Sequence, residues 1–200
     1  MAKKKIAIDI DDVIADSTES LRIVTNERTG SNISKEHFKI PGDYWGYYER
    51  VWQIHGIDKD ISFEDLDDEM IEDQSHIPLL PGASFALMEL SKSFEVYLLT
   101  SRNKAWENAT RQWLDDNGFK DFKELHFTES YKKSKSKGEI CSGLGISWLI
   151  DDNPEHCQSA VSHGVEAILF GEYGWHYKST EGLDRCKSWP EVLEYFNGKE

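Results

Sequence analysis

Short apolar runs punctuate the chain: "KIAIDI" (5–10), "EVYLLT" (95–100), "ELHF" (124–127), "SWLID" (147–151) and "EAILF" (166–170). Each is flanked by Gly, Asn, Asp or Ser, the pattern of short buried strands. Helical patterns fill the gaps between the later runs. "PGASFALMELSKS" enters on Pro81-Gly82, and "KAWENATRQWLDDNG" sets Trp106, Ala109 and Trp113 at i, i+3, i+7 before stopping at Gly118. "KGEICSGLG" and "NPEHCQSAVSHG" end on glycine in the same way. Strands alternating with helices predict an α/β fold, a doubly wound parallel sheet covered on both faces.

The rhythm breaks between residues 17 and 77. That stretch has helical patterns but no convincing strand, and is rich in acids ("EDLDDEMIED") and aromatics ("YWGYYERVW"). The expected organisation is therefore a core of residues 1–16 and 78–200, with a helical insertion over 17–77 that returns at "IPLLPG". Trp45, Tyr48 and Trp52 fall at i, i+3, i+7, so they are expected to share one helix face and fill a small core. Tyr44 and Tyr47 then point elsewhere.

Composition narrows the function classes. A chain of 200 residues suits one domain with a modest insertion. Its net charge of −14 disfavours a nucleic acid polymer as partner, while leaving room for a small anion at a locally positive site. No apolar run is long enough to span a bilayer, and the basic start "MAKKK" lacks an apolar segment behind it. Cys141, Cys157 and Cys186 are odd in number and without CxxC spacing, which argues against a disulfide framework or zinc knuckle. These features together predict a cytoplasmic protein with no membrane partner.

Candidate chemistry sits at the strand ends. "AIDIDDVIAD" places Asp9, Asp11, Asp12 and Asp16 within eight positions. Two such charges about 4 Å apart repel by roughly 4 kcal/mol at an effective dielectric of 20. In an open parallel sheet, ligands bind beyond the carboxyl ends of the strands. Asp9-Ile10-Asp11-Asp12, Thr100-Ser101-Arg102 and Asp151-Asp152-Asn153 all end there, with Lys135 and Lys137 opening the helix before the fourth run. A lone Asp pair after a strand most often caps the next helix. Two acidic clusters on one rim instead make a hard-oxygen pocket for a divalent cation such as Mg²⁺, and the lysine and hydroxyl suit a phosphate.

The order Asp-x-Asp-x-Val, apolar strand–Thr, Lys, apolar strand–Asp-Asp resembles the haloacid dehalogenase superfamily of phosphohydrolases. "DIDDVIAD" with an early insertion, together with "PLLPG…VYLLTSR", resembles its 5'(3')-deoxyribonucleotidases. The resemblance implies a Mg²⁺-dependent phosphomonoesterase acting through an aspartyl-phosphate, probed here against two alternatives: another small phosphomonoester as substrate, or phosphotransfer to an acceptor other than water. Asp9 would be the nucleophile and Asp11 the acid–base. Thr100 would bind the phosphoryl oxygens, with Ser101 and Arg102 beside it in the substrate site. Lys137, favoured over Lys135, would neutralise the phosphate. Asp9, Asp11, Asp152 and Asp151 would serve the metal. The insertion would act as a cap, with Tyr44 and Tyr47 stacking on a nucleoside monophosphate. Asp12 departs from the family pattern, which tends to have Gly there. Tyr173, Trp175 and His176 border the leaving group or merely cover the sheet, and His156 is expected on an ordinary helical face. Lys132 and Lys133 read as a solvated loop. A receiver domain also has strand-end acids, a Thr and a Lys, but lacks a second Asp pair after the lysine, and Asp151-Asp152 tells the two apart.

Overall fold

A computed structural model describes residues 3–63, 66, 72–128, 135–177, 180 and 182–199. Six strands form one sheet: β1 (Lys4–Ile8), β2 (Phe94–Thr100), β3 (Leu125–Phe127), β4 (Trp148–Asp151), β5 (Glu166–Phe170) and β6 (Asp184–Cys186). Their order is β3-β2-β1-β4-β5-β6, and every pairing is parallel. Alternate strand residues feed opposite faces, as a pleated strand requires. Ile6, Ile8, Val96, Leu98, Ile150 and Ile168 enter one core, whereas Ala7, Tyr97, Leu99, Leu149 and Leu169 enter the other. The α/β, doubly wound expectation holds. The sequence reading missed β6, a three-residue "DRC" with no apolar alternation, and the helix Trp189–Phe196 that follows it.

The helices are α1 (Ser17–Thr29), α2 (Tyr47–Ile54), α3 (Ala83–Ser93), α4 (Glu107–Asp116), α5 (Lys137–Leu144), α6 (Pro154–Ser162) and α7 (Trp189–Phe196). Chain order reverses beside β1, whose neighbours are β2 and β4. Carboxyl ends of strands diverge at such a switch point and leave a crevice for ligand. Register fixes what meets there. Ile8 pairs with Leu98 on one side and with Ile150 on the other, so Asp9 leaves the sheet level with Leu99 and Asp151.

The chain leaves the sheet after Ile14–Asp16 and returns at 78–80. Backbone bonds from Asp16 N to Pro78 O and from Leu80 N to Ile14 O, both 2.8 Å, tie exit to return. Between them lie α1, a 3₁₀ turn (Lys35–Lys39) and α2, with no strand among the described residues. Most of the acidic run 64–73 lies outside the described residues. This insertion has its own core of Ile33, Phe38, Tyr47, Val51, Trp52 and Ile61, joined by Trp175 from the loop after β5.

That core corrects the aromatic reading. Gly46 adopts a left-handed conformation (φ 75°) and α2 starts only at Tyr47, so Trp45 is not on the helix and stands 50% exposed. The phase shifts accordingly. Tyr47, expected to point out of the core toward substrate, is buried in it, with its hydroxyl 2.7 Å from the Phe38 and Ile40 carbonyls. Tyr48, expected in the core, sits at its edge.

Close helix packing sets Lys137 in place. A Cβ on Gly138 would collide with the Ser159 carbonyl, so α5 and α6 meet here backbone to backbone. We expect Gly138→Ala to cost about 1–3 kcal/mol through overpacking. In a chain of this size each kcal/mol lowers Tm by about 2–4 °C, so a thermal melt detects it and an unchanged Tm contradicts it.

Candidate active site

Lys137, the first residue of α5, is fully buried, and its ammonium lies between two strand-end carboxylates. Nζ is 2.8 Å from Asp9 Oδ1 and 2.7 Å from Asp151 Oδ2. Ser136 positions it: its hydroxyl accepts from Glu139 N while Glu139 accepts from Ser136 N, a reciprocal cap that fixes the first turn. Lys135 is exposed. Burial opposes the Lys137 charge, but Asp151 and Asp9 outweigh it and raise its pKa. Asp151 is bound further by Asn153 N (2.9 Å) and His156 Nδ1 (3.2 Å). Against the cost of burial, Lys137 and His156 bring its pKa down to about 2. His156 is thus half-buried beside the cluster rather than on a bare helical face.

Asp152 differs. Its carboxylate is buried, and Oδ1 has no hydrogen-bond partner. Burial, then Asp151 and Asp9, push its pKa well up. The loop 171–177 fixes its backbone: Trp175 Nε1 and His176 Nε2 donate to the Asp152 carbonyl at 3.1 and 2.6 Å. That bond defines His176 as the Nε2–H tautomer, and burial lowers its pKa to about 4. Asp9 is buried as well. Burial, reinforced by Asp151 and Asp11 and only partly offset by Lys137, pushes it up to about 8.

Asp11 is clamped by Arg102. The guanidinium presents Nε to Oδ2 at 2.9 Å and NH2 to Oδ1 at 2.8 Å, while Ser17 Oγ donates to Oδ1 at 2.6 Å. Burial would raise the Asp11 carboxyl, but Arg102 and Ser17 prevail and hold it below the usual range. Arg102 is buried and anchored by Gln74 (2.6 Å) and Thr110 (3.2 Å), with its guanidinium 5.7 Å from the centre of the Trp113 ring. Its donors are therefore spent on protein rather than held out for a substrate. Thr100, fully buried at the end of β2, accepts from Arg102 N at 3.1 Å, and Ser101 Oγ lies 3.1 Å from Thr128 Oγ1.

Five carboxylates (Asp9, Asp11, Asp12, Asp151, Asp152) thus face two buried cations (Lys137, Arg102) on one rim. Ligand oxygens of Asp9, Asp151 and Asp152 lie within 4.8 Å of one another. An all-carboxylate set with an unpartnered buried oxygen on Asp152 fits a hard divalent cation. Asp9 and Asp152 are the better donors, because Asp151 is already held by Lys137, Asn153 and His156.

Beside the carboxylates opens a cleft of about 260 Å³ between core and insertion. Its aromatic walls are Tyr44, Trp45, Tyr48, Phe63 and Trp106, and its polar rim includes Asp11, Asp12, Ser101 and Arg102. Tyr44 stands with its ring 6.4 Å from His156, and burial together with Asp152 and Asp9 raises its hydroxyl's pKa. Tyr47 does not line this cleft. Trp106 does, because α4 begins one residue after it and leaves it in a 3₁₀ turn. Its i, i+3, i+7 pattern had signalled a helix face and hid this.

No family model matches the chain. Among curated proteins, 118 residues are 27% identical to a protein of Oceanobacillus iheyensis named "Putative nucleotidase", over 58% of this chain and 61% of that one. The chain therefore spans about three-fifths of that relative's length. It is 25% identical to a "Putative 5'(3')-deoxyribonucleotidase" of Staphylococcus epidermidis over 100% of this chain and 99% of the relative. Its fold matches a haloacid dehalogenase-type hydrolase of Bacillus subtilis solved with magnesium (TM-score 0.65, 13% identity, 98% of this chain and 100% of that one). The fold is that of the haloacid dehalogenase hydrolases. The resemblance to deoxyribonucleotidases, read from "DIDDVIAD" with its early insertion and "PLLPG…VYLLTSR", agrees with the names of these curated relatives, one a putative nucleotidase and one a putative 5'(3')-deoxyribonucleotidase.

The raised Asp9 pKa has a consequence for stability. A carboxyl whose folded pKa lies above its unfolded value contributes stability that is fully present below about pH 4 and lost as pH rises through about 8. Without divalent cations, Asp9→Asn is expected to be more stable than wild type at pH 8, with the gap closing toward pH 4. Urea unfolding at both pH values checks this, and a variant less stable than wild type at pH 8 contradicts it.

Proposed function

We propose that the protein is a Mg²⁺-dependent phosphoric monoester hydrolase that works through an aspartyl-phosphate and prefers nucleoside monophosphates. The observation that carries the reading is Lys137 held between Asp9 and Asp151 with the Asp152 carboxylate oxygen left over beside them.

In the first half of the cycle an Asp9 carboxylate oxygen attacks phosphorus, the ester P–O bond breaks, and the leaving oxygen takes a proton. In the second half water attacks the aspartyl-phosphate, phosphate leaves, and Asp9 is restored. Lys137 at the start of α5 and Thr100 at the end of β2 would receive the phosphoryl oxygens. Asp11 handles the proton of the leaving group and of the water. In the first half the proton passes from the Asp11 carboxyl to the leaving oxygen, and in the second the Asp11 carboxylate takes one from water; Arg102, which holds it ionised, favours the second step and opposes the first. Asp9 and Asp152 would hold Mg²⁺, with Asp151 and Asp11 beside them. When bound, the ion neutralises the clustered carboxylates and phosphate and so favours the ionised nucleophile that Asp9 must be.

The insertion closes the site as a cap, so core 1–16 and 78–200 supplies the chemistry and 17–77 the selection. An aromatic cleft next to a phosphate pocket suits a base better than a polyhydroxylated sugar. The names of the curated relatives support the same substrate class.

Asp9→Asn should lower turnover by about 10⁴-fold or more, as loss of a nucleophile does. Hydrolysis should also cease on full chelation and return with Mg²⁺. A screen of phosphomonoesters reads both, and activity that survives chelation overturns the metal role. In the same screen nucleoside monophosphates should rank above sugar phosphates. Tyr44→Ala should raise KM for them roughly 5- to 150-fold, the range for losing one base–aromatic stack. A preference for sugar phosphates leaves the phosphatase reading and removes the nucleotidase one.

A further inference from the structure

Asp12 is the one non-glycine with a left-handed backbone among the described residues (φ 53°). Glycine adopts that conformation freely, while other L-residues pay a steric cost. Here the position carries a buried carboxylate, and every polar group of it is engaged. Oδ1 accepts from Thr18 N at 3.0 Å. Oδ2 accepts from Thr18 Oγ1 at 2.9 Å and from the Tyr48 hydroxyl at 3.0 Å. Its carbonyl accepts from the Tyr173 hydroxyl at 2.6 Å, and its N–H donates to Ala15 O at 2.8 Å. One residue thus ties the catalytic loop to the first turn of α1, to α2 in the insertion, and to the loop after β5.

Tyr48 is the contact with consequences for substrate. Its hydroxyl end is held by Asp12 and Thr18, and its ring walls the cleft. Phe38, Tyr47, Phe63 and Trp175 pack around the ring, and the hydroxyl adds the polar anchor at its far end. We infer that Asp12 is a positioning residue for substrate binding: through Tyr48 it sets the wall of the cleft that receives the leaving group. Among the described residues neither Asp9 nor Lys137 hydrogen-bonds Asp12 or Tyr48. The inference rests on the phosphomonoesterase reading for its kinetic readout but not for its structural one.

The test is a double-mutant cycle of Asp12→Gly and Tyr48→Phe. Glycine suits the φ of position 12, and phenylalanine keeps the ring while removing one oxygen. For the best phosphomonoester, each variant should raise KM by about tenfold, the upper end of the effect of one lost hydrogen bond, with a smaller change in kcat. The double variant should be no worse than Asp12→Gly alone, because the bond lost in Tyr48→Phe is already absent there. Additive effects, or a loss confined to kcat, overturn the inference. Thermal melts report folding, and if Asp12→Gly fails to fold, Tyr48→Phe alone still must raise KM. Hydrogen exchange of the α2 amides (47–54) needs no turnover. It should quicken in both single variants and no further in the double, and unchanged exchange overturns the Asp12–Tyr48 link. A wild-type protein that hydrolyses no phosphomonoester with Mg²⁺ overturns the proposed function instead, and the exchange result then decides the inference on its own.

Discussion

The buried ammonium of Lys137 is the interaction on which the rest of the site depends. Two strands, β1 and β4, deliver Asp9 and Asp151 side by side because their register is fixed by Ile8 against Ile150. Lys137 keeps Asp151 ionised in this dry crevice and offsets part of the burial cost of Asp9. Lys137 reaches them only because α5 starts there, and α5 starts there because Ser136 and Glu139 cap it. Gly138 then lets α5 close on α6, which carries His156 to the far side of Asp151. Helix capping, a glycine contact and strand register thus converge on one ammonium.

Neutralisation is incomplete, and that incompleteness is informative. Lys137 serves Asp9 and Asp151, and Arg102 serves Asp11, but among the described residues Asp152 receives no cation at hydrogen-bond distance. A protein that needed these residues only for structure would gain by replacing a buried, unpaired carboxylate with an amide or an apolar side chain. Keeping it makes sense where a cation and an anionic substrate arrive together. The same argument separates the two arginine and lysine roles. Lys137 faces Asp9, whereas Arg102 is locked by Gln74, Thr110 and Trp113 and holds Asp11 still.

How much was legible follows from the range of each signal. The other five strands were readable because each lies in an apolar run bounded by turn residues, and β6 was not because three largely polar residues carry no period. Asp9, Asp11, Thr100, Lys137, Asp151 and Asp152 could all be placed on one rim, since a parallel sheet brings its carboxyl ends together whatever the loops do. What was hidden is what depends on side-chain direction. Arg102 looked like a substrate ligand because it follows Thr100-Ser101, yet its partners Gln74 and Thr110 lie 28 and 8 residues away. Tyr47 and Tyr48 exchanged places because Gly46 moves the start of α2 by one turn position. His156 gave no sign beyond its distance from Asp151, five residues on and one helix turn above it.

Asp12 was visible as an anomaly, an acid where the resemblance expects glycine, and the backbone explains both residues. The position needs φ near +53°, which glycine meets without cost and which aspartate tolerates better than most side chains. The carboxylate then does what glycine cannot, by accepting from Thr18 and Tyr48 across the joint between core and insertion. Other contacts also seat the insertion: the Gly42 N–H to the Gly174 carbonyl at 3.3 Å, Trp45 to Glu155 at 3.0 Å, and Tyr177 to Asp43 at 2.9 Å. Two more reach the same rim as Asp12, because Ser17 donates to Asp11 and Gln74 accepts from Arg102. The insertion and the carboxylate rim are therefore coupled at three neighbouring side chains, Asp11, Asp12 and Arg102, so a change in the insertion is felt at the rim as well as in the cleft.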